Sequence, residues 1–555
     1  MEIIGRLFVR RFVYLFGIIF VITSLSPLQW TWANEIKKES LTQLANQLGF
    51  WKYQGSASAN SSIQKPIKIA ILDNGFFGYD DAIGKSLPAS TQYHEGPIKA
   101  QQASMETHGL AMAQVVSGLL ESILPKDLYQ IHLFSSYGYT NLKSAIENVV
   151  QNHFDIVLYS IVWDYGGNGD GNGFINALVS KATDAGILWI NASGNTAKST
   201  WTSKIENSGD GWVRLPGPHQ SVQIRCPESK DNSDCPLRIV LSWNDFSDST
   251  EVGTDKDLDL YLTDENLNVL KSSTLKQNKF SSKPNENLSL YPREIIEYVV
   301  QPGLYYARVK MKSNNFDSEK DVLRIVTPGI HSFQVDTTFT ETLMPPADHP
   351  QVITVGAIDS EHSSRSSQRL KPEVYFPSRV TMEDSEFEIR GSSTAAAVAA
   401  AASLVLRYRL PAIDRKNLIE GLKVFSQGPS AVDRVTTALH RPLPTKKDKF
   451  GRPCYSLARL PSEFFPNADS FFQLLNRSTG IWTVESNQGL LILTSIDPFA
   501  HPLSPQKTLE SDRLYLTPRG LIKRSHEDAR GAPPGRNTTV EVLQMAPNEV
   551  ICPLF

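Results

Sequence analysis

Residues 391–406 read GSSTAAAVAAAASLVL, and seven of these sixteen residues are alanine. Alanine is the best helix former and serine a good N-cap, so the spacing predicts a close-packed helix that opens at the serines. A helix this poor in side-chain bulk fits deep inside a fold. The glycine ahead of it lets the backbone come close to another segment. The hydroxyls of Ser392 and Ser393 are then either caps or a nucleophile, and the rest of the chain has to decide which.

Working outward, the chain alternates between strand-like and helix-like segments on both sides of a break. IKIAILD (67–73), YQIHLFSS, FDIVLYSIV and ILWINASG are short apolar runs, separated by segments of helical period such as GLAMAQVVSGLLESIL and NLKSAIENVVQN. Strands apolar along their whole length, interleaved with helices, predict an α/β fold with a parallel sheet covered on both faces. From 203 to 337 the pattern becomes short alternating strands with polar turns (LRIVLSW, DLDLYLTD, LYYARVKMK), which predicts a β-sandwich or jelly roll. The α/β pattern resumes with QVITVGAID (351–359). The expected organisation is a signal segment (1–33), an N-terminal linker segment (34–66), an α/β domain in two parts (67–202 and 338–444), an inserted β-sandwich (203–337) and a small β-rich C-terminal domain (445–555).

The 555 residues include 55 Lys and Arg against 58 Asp and Glu, for a net charge of −3. A chain this near neutrality has no global field for nucleic acid or an anionic membrane. Arg6, Arg10 and Arg11 precede the apolar run FVYLFGIIFVITSL, and TWA follows at 31–33, the pattern of a secretory signal. The run is short for a membrane span, so the chain is expected to be exported, to the periplasm or the medium. An oxidising compartment favours disulfides between Cys226 and Cys235 and between Cys454 and Cys552, although four cysteines allow three connectivities. NAS at Asn191 matches a glycosylation pattern but lies on a strand expected to be buried.

Polar residues of catalytic type fall at the ends of the α/β elements, where open parallel sheets place their sites. Asp73 ends a strand, His108 opens a helix beside Gly109, and Ser393 opens the alanine-rich helix. The order Asp, His, Ser is one of the known triad orders. Six segments together resemble the subtilisin-like serine peptidases: IAILDNGF, THGLAMAQVVSG, LWINASGN, HPQVITVGAID, LKPEVYFPS and GSSTAAAVAAAASLVL. The resemblance covers about 67–200 and 340–410. It implies a three-layer subtilisin-like catalytic domain that hydrolyses peptide bonds. Ser393 would be the nucleophile, His108 the base and Asp73 its orienting carboxylate. Asn195 would donate to the oxyanion, and Ser392 would be left as a capping hydroxyl.

The sequence also departs from that family. Asn74, Leu110, Met112 and Ala397 replace its usual residues. Ser160, Ile161 and Val162 align with the strand that binds substrate, where a glycine is usual in place of Val162; a branched side chain there narrows the pocket or leaves it non-productive. The 33 residues between Ala33 and Ile67 leave no room for the family's longer propeptide. The insertion resembles jelly-roll modules of bacterial subtilases. Its Asp255, Asp257, Asp259 and Asp264 could hold Ca²⁺, with the first three on one face of a strand, although no cofactor is required. GGNGDGNG (166–173) reads as a flexible loop beside the cleft. Two functions follow: an exported serine endopeptidase acting on protein or peptide substrates, or a non-catalytic binding protein of the same fold that uses the insertion as its interaction module.

Overall fold

The computed structural model describes residues 36–53, 65–99, 106–121, 123–227, 234–279, 288–328, 332–333, 341–383 and 388–426, with short strands between 446 and 551. The signal segment expected at 1–33 lies outside the described residues. Among those described, no helix is long and apolar enough to cross a membrane.

In chain order the α/β elements are α1 (Lys38–Leu48), β1 (Ile67–Asp73), α2 (Tyr79–Ala82), β2 (Gln92–His94), α3 (His108–Leu120), β3 (Tyr129–Ser135), α4 (Gly138–Gln151), β4 (Ile156–Tyr159), α5 (Phe174–Asp184) and β5 (Leu188–Ala192). A run of strands follows: β6 (Thr200–Lys204), β7 (Val222–Cys226), β8 (Cys235–Trp243), β9 (Leu258–Thr263), β10 (Val269–Ser273), β11 (Lys276–Gln277), β12 (Leu288–Ser289), β13 (Arg293–Val300), β14 (Gly303–Met311), β15 (Val322–Val326) and β16 (Ser332–Phe333), of which β11 and β12 pair in parallel. Then come β17 (Ile353–Ala357), β18 (Val374–Phe376), β19 (Val380–Thr381), β20 (Glu388–Ile389), α6 (Ser392–Arg409) and α7 (Arg415–Ser426).

Seven strands form one parallel sheet in the order β18-β17-β5-β4-β1-β3-β2, so the chain leaves after β5 and returns beside it as β17. Alternation sends Ala70, Leu72, Val157, Tyr159 and Trp189 to one face. There they pack with Leu142, Ile146 and Val149 of α4 and Leu178 and Val179 of α5. Ile69, Ile71 and Leu158 point the other way and are equally inaccessible, as a sheet covered on both faces requires. Every residue of α6 from Ala395 to Leu406 is at most 1% exposed, so the methyl-rich sequence does serve a deeply buried helix.

Between β5 and β17 stand two antiparallel sheets, β10-β9-β14-β7-β16 and β13-β8-β15-β6, around a shared core that includes Val222, Ile239, Leu241, Leu260, Val309 and Ile325. The antiparallel pairing begins at Thr200, where β6 joins β15, three residues ahead of the boundary expected at 203. A disulfide joins Cys226 to Cys235.

Residues 68–115 and 131–397 form one compact unit, and 37–67, 116–130 and 398 onward form another. In the second unit the Phe425 ring lies 5.1 Å from that of Phe50 and stacks on Tyr53 at 4.7 Å. Toward the C-terminus, strands Ile481–Asn487, Leu490–Ile496, Ser511–Leu516 and Ile522–Glu527 form an antiparallel sheet. Cys552, and with it the second expected disulfide, lies outside the described residues.

Candidate active site

Asp73 is the last residue of β1 and wholly buried. Its carboxylate accepts from the Asn74 backbone N–H (2.8 Å) and faces Nδ1 of His108 through both oxygens, at 2.9 and 3.0 Å. Its backbone carbonyl accepts from the N–H and the hydroxyl of Ser136, so the strand end is held from the β3 side as well. His108 opens α3 one residue before Gly109, where a Cβ would stand 2.6 Å from the Asp73 Cβ. Only glycine allows that approach.

The imidazole is 35% exposed. Burial is the largest single influence on it and pulls its pKa down. The charge of Asp73, the hydrogen bond to it and the charge of Glu106 together outweigh burial and hold the pKa above the ordinary histidine value. With Nδ1 committed to a carboxylate, Nε2 is the nitrogen free to accept a proton.

Ser393 lies in the first turn of α6, half-buried. Its hydroxyl donates to the carbonyl oxygen of Ser160 at 3.2 Å, not to the imidazole. Ser392 is fully buried, and its role differs from the helix cap expected of it. Its hydroxyl accepts from the Gly194 N–H (3.0 Å) in the turn after β5, tying the two segments together. Its own N–H donates to Oδ1 of Asn195 at 2.9 Å. A backbone donor there requires an oxygen, which fixes the amide's orientation and leaves the Asn195 NH₂ pointing elsewhere, on an exposed side chain. Gly391, at φ +130°, sits so close that a Cβ would lie 2.9 Å from Nδ2 of Asn195.

The turn before α6 has a brace that sequence reading missed. The Ser378 hydroxyl accepts from the Gly391 N–H (3.0 Å) and donates to Asp359 (2.6 Å). Ser378 closes the segment LKPEVYFPS and Asp359 closes QVITVGAID, so two segments quoted only for their resemblance meet here. Asn191, read from sequence as a glycosylation pattern, is wholly buried. It accepts from the Trp189 indole and donates to the carbonyls of Ile161 (3.2 Å) and Ala192 (2.8 Å).

The segment 160–165 continues from β4 alongside this assembly. Ser160 is buried, and its hydroxyl has no partner among the described residues. Ile161 and Trp163 pack on the cluster of α4 and α5, while Val162 and Tyr165 pack on Val240, Val326 and Met344.

The loop 166–173, expected to be flexible, is pinned at several points. Asn168 exchanges two hydrogen bonds with the backbone of Phe246, and the N–H groups of Gly171 and Gly173 donate to Asp348 and Asp248. Asp170 is taken up by Asn172 of the same loop. Phe246, Asp348 and Asp248 lie 75 residues or more from their partners in the loop, so local sequence carries no sign of them.

Of the aspartates considered for calcium, Asp255, Asp257 and Asp259 do not share one strand face as expected. β9 begins at Leu258, so Asp255 and Asp257 precede it. The reason is that their stretch is held by residues just outside other strands, Lys256 by Asp245 and Asp321 and the Asp257 N–H by Ser313. Asp255 accepts from Asn315, Asp259 from Tyr261 with Lys312 at 3.5 Å, and Asp264 from Asn266 and Asn268 of its own turn. Among the described residues no group of three or more His, Cys, Asp or Glu is gathered as a metal would need.

No protein-family model matches the chain, and no curated protein does. Among solved structures, the Clostridium perfringens CspB protease is similar over 74% of this chain and 95% of its own, at 13% identity and a TM-score of 0.40. Within this chain the end of β1 and the start of α3 bring the Asp73 carboxylate to the His108 imidazole, and the start of α6 brings Ser392 and Ser393 to the turn after β5 and to Ser160, just past the carboxyl end of β4.

Proposed function

We propose that the chain is an exported serine peptidase of the subtilisin-like kind, hydrolysing protein or peptide substrates through an acyl-enzyme. The observation that carries this is the carboxylate–imidazole pair Asp73–His108, together with a helix that carries Ser393 in its first turn and is tied by Ser392 to Gly194 and Asn195. A serine hydroxyl is a weak nucleophile until a base takes its proton. Nε2 of His108 takes that proton as Ser393 Oγ attacks the substrate carbonyl, then returns it to the leaving amine. Asp73 holds the imidazole in the tautomer that leaves Nε2 free and stabilises the imidazolium. The oxyanion forms at the N-terminus of α6, where the Ser393 N–H and the Asn195 NH₂ meet developing charge. In this reading the Ser393 hydroxyl leaves the Ser160 carbonyl for the imidazole during turnover; catalytic hydrogen bonds often tighten only once substrate is bound. This chemistry needs no cofactor.

A second reading, a binding protein that keeps the fold without turnover, is favoured by that same Ser393–Ser160 hydrogen bond, since the hydroxyl at rest is not on the base. A fluorophosphonate probe separates the two. The expected result is labelling of the folded protein that disappears in Ser393→Ala. Absence of labelling in the wild type, or equal labelling in the variant, rules out the peptidase.

A further inference from the structure

In open parallel sheets ligands bind outside the carboxyl ends of the strands. Here β4 and β5 are paired up to Tyr159 and Asn191. Beyond them, residues 160–162 and 192–195 flank the proposed nucleophile, because Ser393 Oγ bonds the Ser160 carbonyl while Ser392 bonds Gly194 and Asn195. An acyl group held at Ser393 with its oxygen on Asn195 therefore turns its substituent toward the gap between these two segments.

That gap is shut. The Asn191 amide crosses it to the Ile161 carbonyl at 3.2 Å. Cγ2 of Val162 lies 3.2 Å from where a Cβ on Gly194 would stand, so the valine methyl fills the space that a side chain at Gly194 would need. Val162 is backed by Val240 and Val326 of the inserted sandwich and by Met344. Its segment is fixed on either side as well. The Trp163 N–H donates to the Pro345 carbonyl (2.8 Å), its indole donates to the Tyr159 hydroxyl (2.8 Å), and Arg238 of β8 pairs with Asp164. The Arg293 guanidinium lies 3.9 Å over the Tyr165 ring.

We propose that Val162, held in place by the inserted sandwich, is the specificity-determining residue of the site and restricts it to substrates with glycine or alanine at the residue whose carbonyl is attacked. This rests on the peptidase reading. It also gives the insertion a definite part in the reaction, as the rear wall of the substrate slot. A packed wall of this kind discriminates by about tenfold or more for each added carbon it has no room for.

The test uses aminoalkyl diphenyl phosphonates with glycine-, alanine- and phenylalanine-type side chains, on the full chain. Each reacts by forming a bond from Ser393 Oγ to phosphorus and releasing one phenol, which takes the hydroxyl proton by way of His108. The expected result is that the wild type reacts with the glycine and alanine probes at least about tenfold faster than with the phenylalanine probe. In Val162→Gly the phenylalanine-to-glycine rate ratio should rise by about tenfold or more. Val162→Ala, a smaller change to the packing, should move the same ratio in the same direction, with thermal melting reporting that each variant is folded. Equal rates for all probes in the wild type, or an unchanged ratio in a folded variant, overturn the slot while leaving a serine peptidase in place. If neither these probes nor a fluorophosphonate labels the wild type, the peptidase reading falls and the slot falls with it.

Discussion

β4 and β5 of the parallel sheet are buried at every position, whereas β7 and β13 of the inserted sandwich alternate between buried and open positions, and β10 has no fully buried residue. The first kind of strand has no wet side, so polar side chains collect where the strands stop, and Asp73, Asn195 and Ser160 all stand at or just past such ends. The second kind spreads its polar residues along one face, and its acids are taken up singly by amides, hydroxyls and lysines, as Asp264 is by Asn266 and Asn268 and Asp255 by Asn315. Both regions are rich in charged and hydroxyl side chains, but in only one does the topology force them together. The inserted strands instead supply support: Val240, Val326 and Arg238 hold the segment 160–165 without a reactive group of their own.

The sharpest way to break this division is Asn195→Ala. If the sheet edge is where chemistry is concentrated, losing the amide should lower turnover by about 10²- to 10³-fold with substrate affinity nearly kept. The Ser392 N–H loses its acceptor in this variant, so a stability measurement must accompany the kinetics. A fall in melting temperature with unchanged turnover would make Asn195 a brace for the α6 turn and nothing more.

Much of the sheet edge was legible in the sequence, because each site residue sits next to a periodic element. IKIAILD ends in Asp73, a helical run starts at His108, and the alanine run starts at Ser393. What was not legible depends on partners distant in the chain. The polar TWTSK gives no sign that Thr200–Lys204 is a strand until β15 is beside it. The start of β9 at Leu258, which removes Asp255 and Asp257 from the strand, is set by contacts with Ser313 and Asp321. The closure of Val162 on Gly194 joins two strand ends 32 residues apart, and a valine in an apolar strand has no feature that announces it. Sequence identified the unusual residue, but only the fold says what it touches.

A smaller effect tests the sandwich from its own side. Cys226 and Cys235 close a short loop between β7 and β8, with a sequence separation of 9. Replacing both with serine should cost about 2–3 kcal/mol of stability through the freed unfolded chain, read as a lower denaturant midpoint. The labelling of Ser393 in the folded protein should stay as it was, since the sandwich residues that hold the segment 160–165 are Arg238, Val240 and Val326. A change in labelling without unfolding would mean that the sandwich transmits its internal order to the site, and the division between support and chemistry would have to be redrawn.

The smallest effect concerns Glu106, two residues before the imidazole and exposed. Its charge is one of the influences that raise the His108 pKa, behind the carboxylate of Asp73. In the proposed mechanism His108 accepts a proton only when neutral, so kcat/KM should fall as the pH drops through a value above the ordinary histidine pKa of about 6.5. Stability runs the other way. A group whose pKa is higher in the folded than in the unfolded chain stabilises the fold fully below the unfolded value and loses that contribution as pH rises through the folded one. Rising pH therefore switches the base on while removing part of what holds His108 to Asp73. Glu106→Gln should move the acid limb toward lower pH and bring the loss of that stabilisation to lower pH with it. The charge is exposed and screened, so both displacements should shrink at high salt, whereas the part due to buried Asp73 should persist. An acid limb that Glu106→Gln moves equally at low and high salt would mean that the glutamate acts through a structural change at the start of α3 and not through its charge.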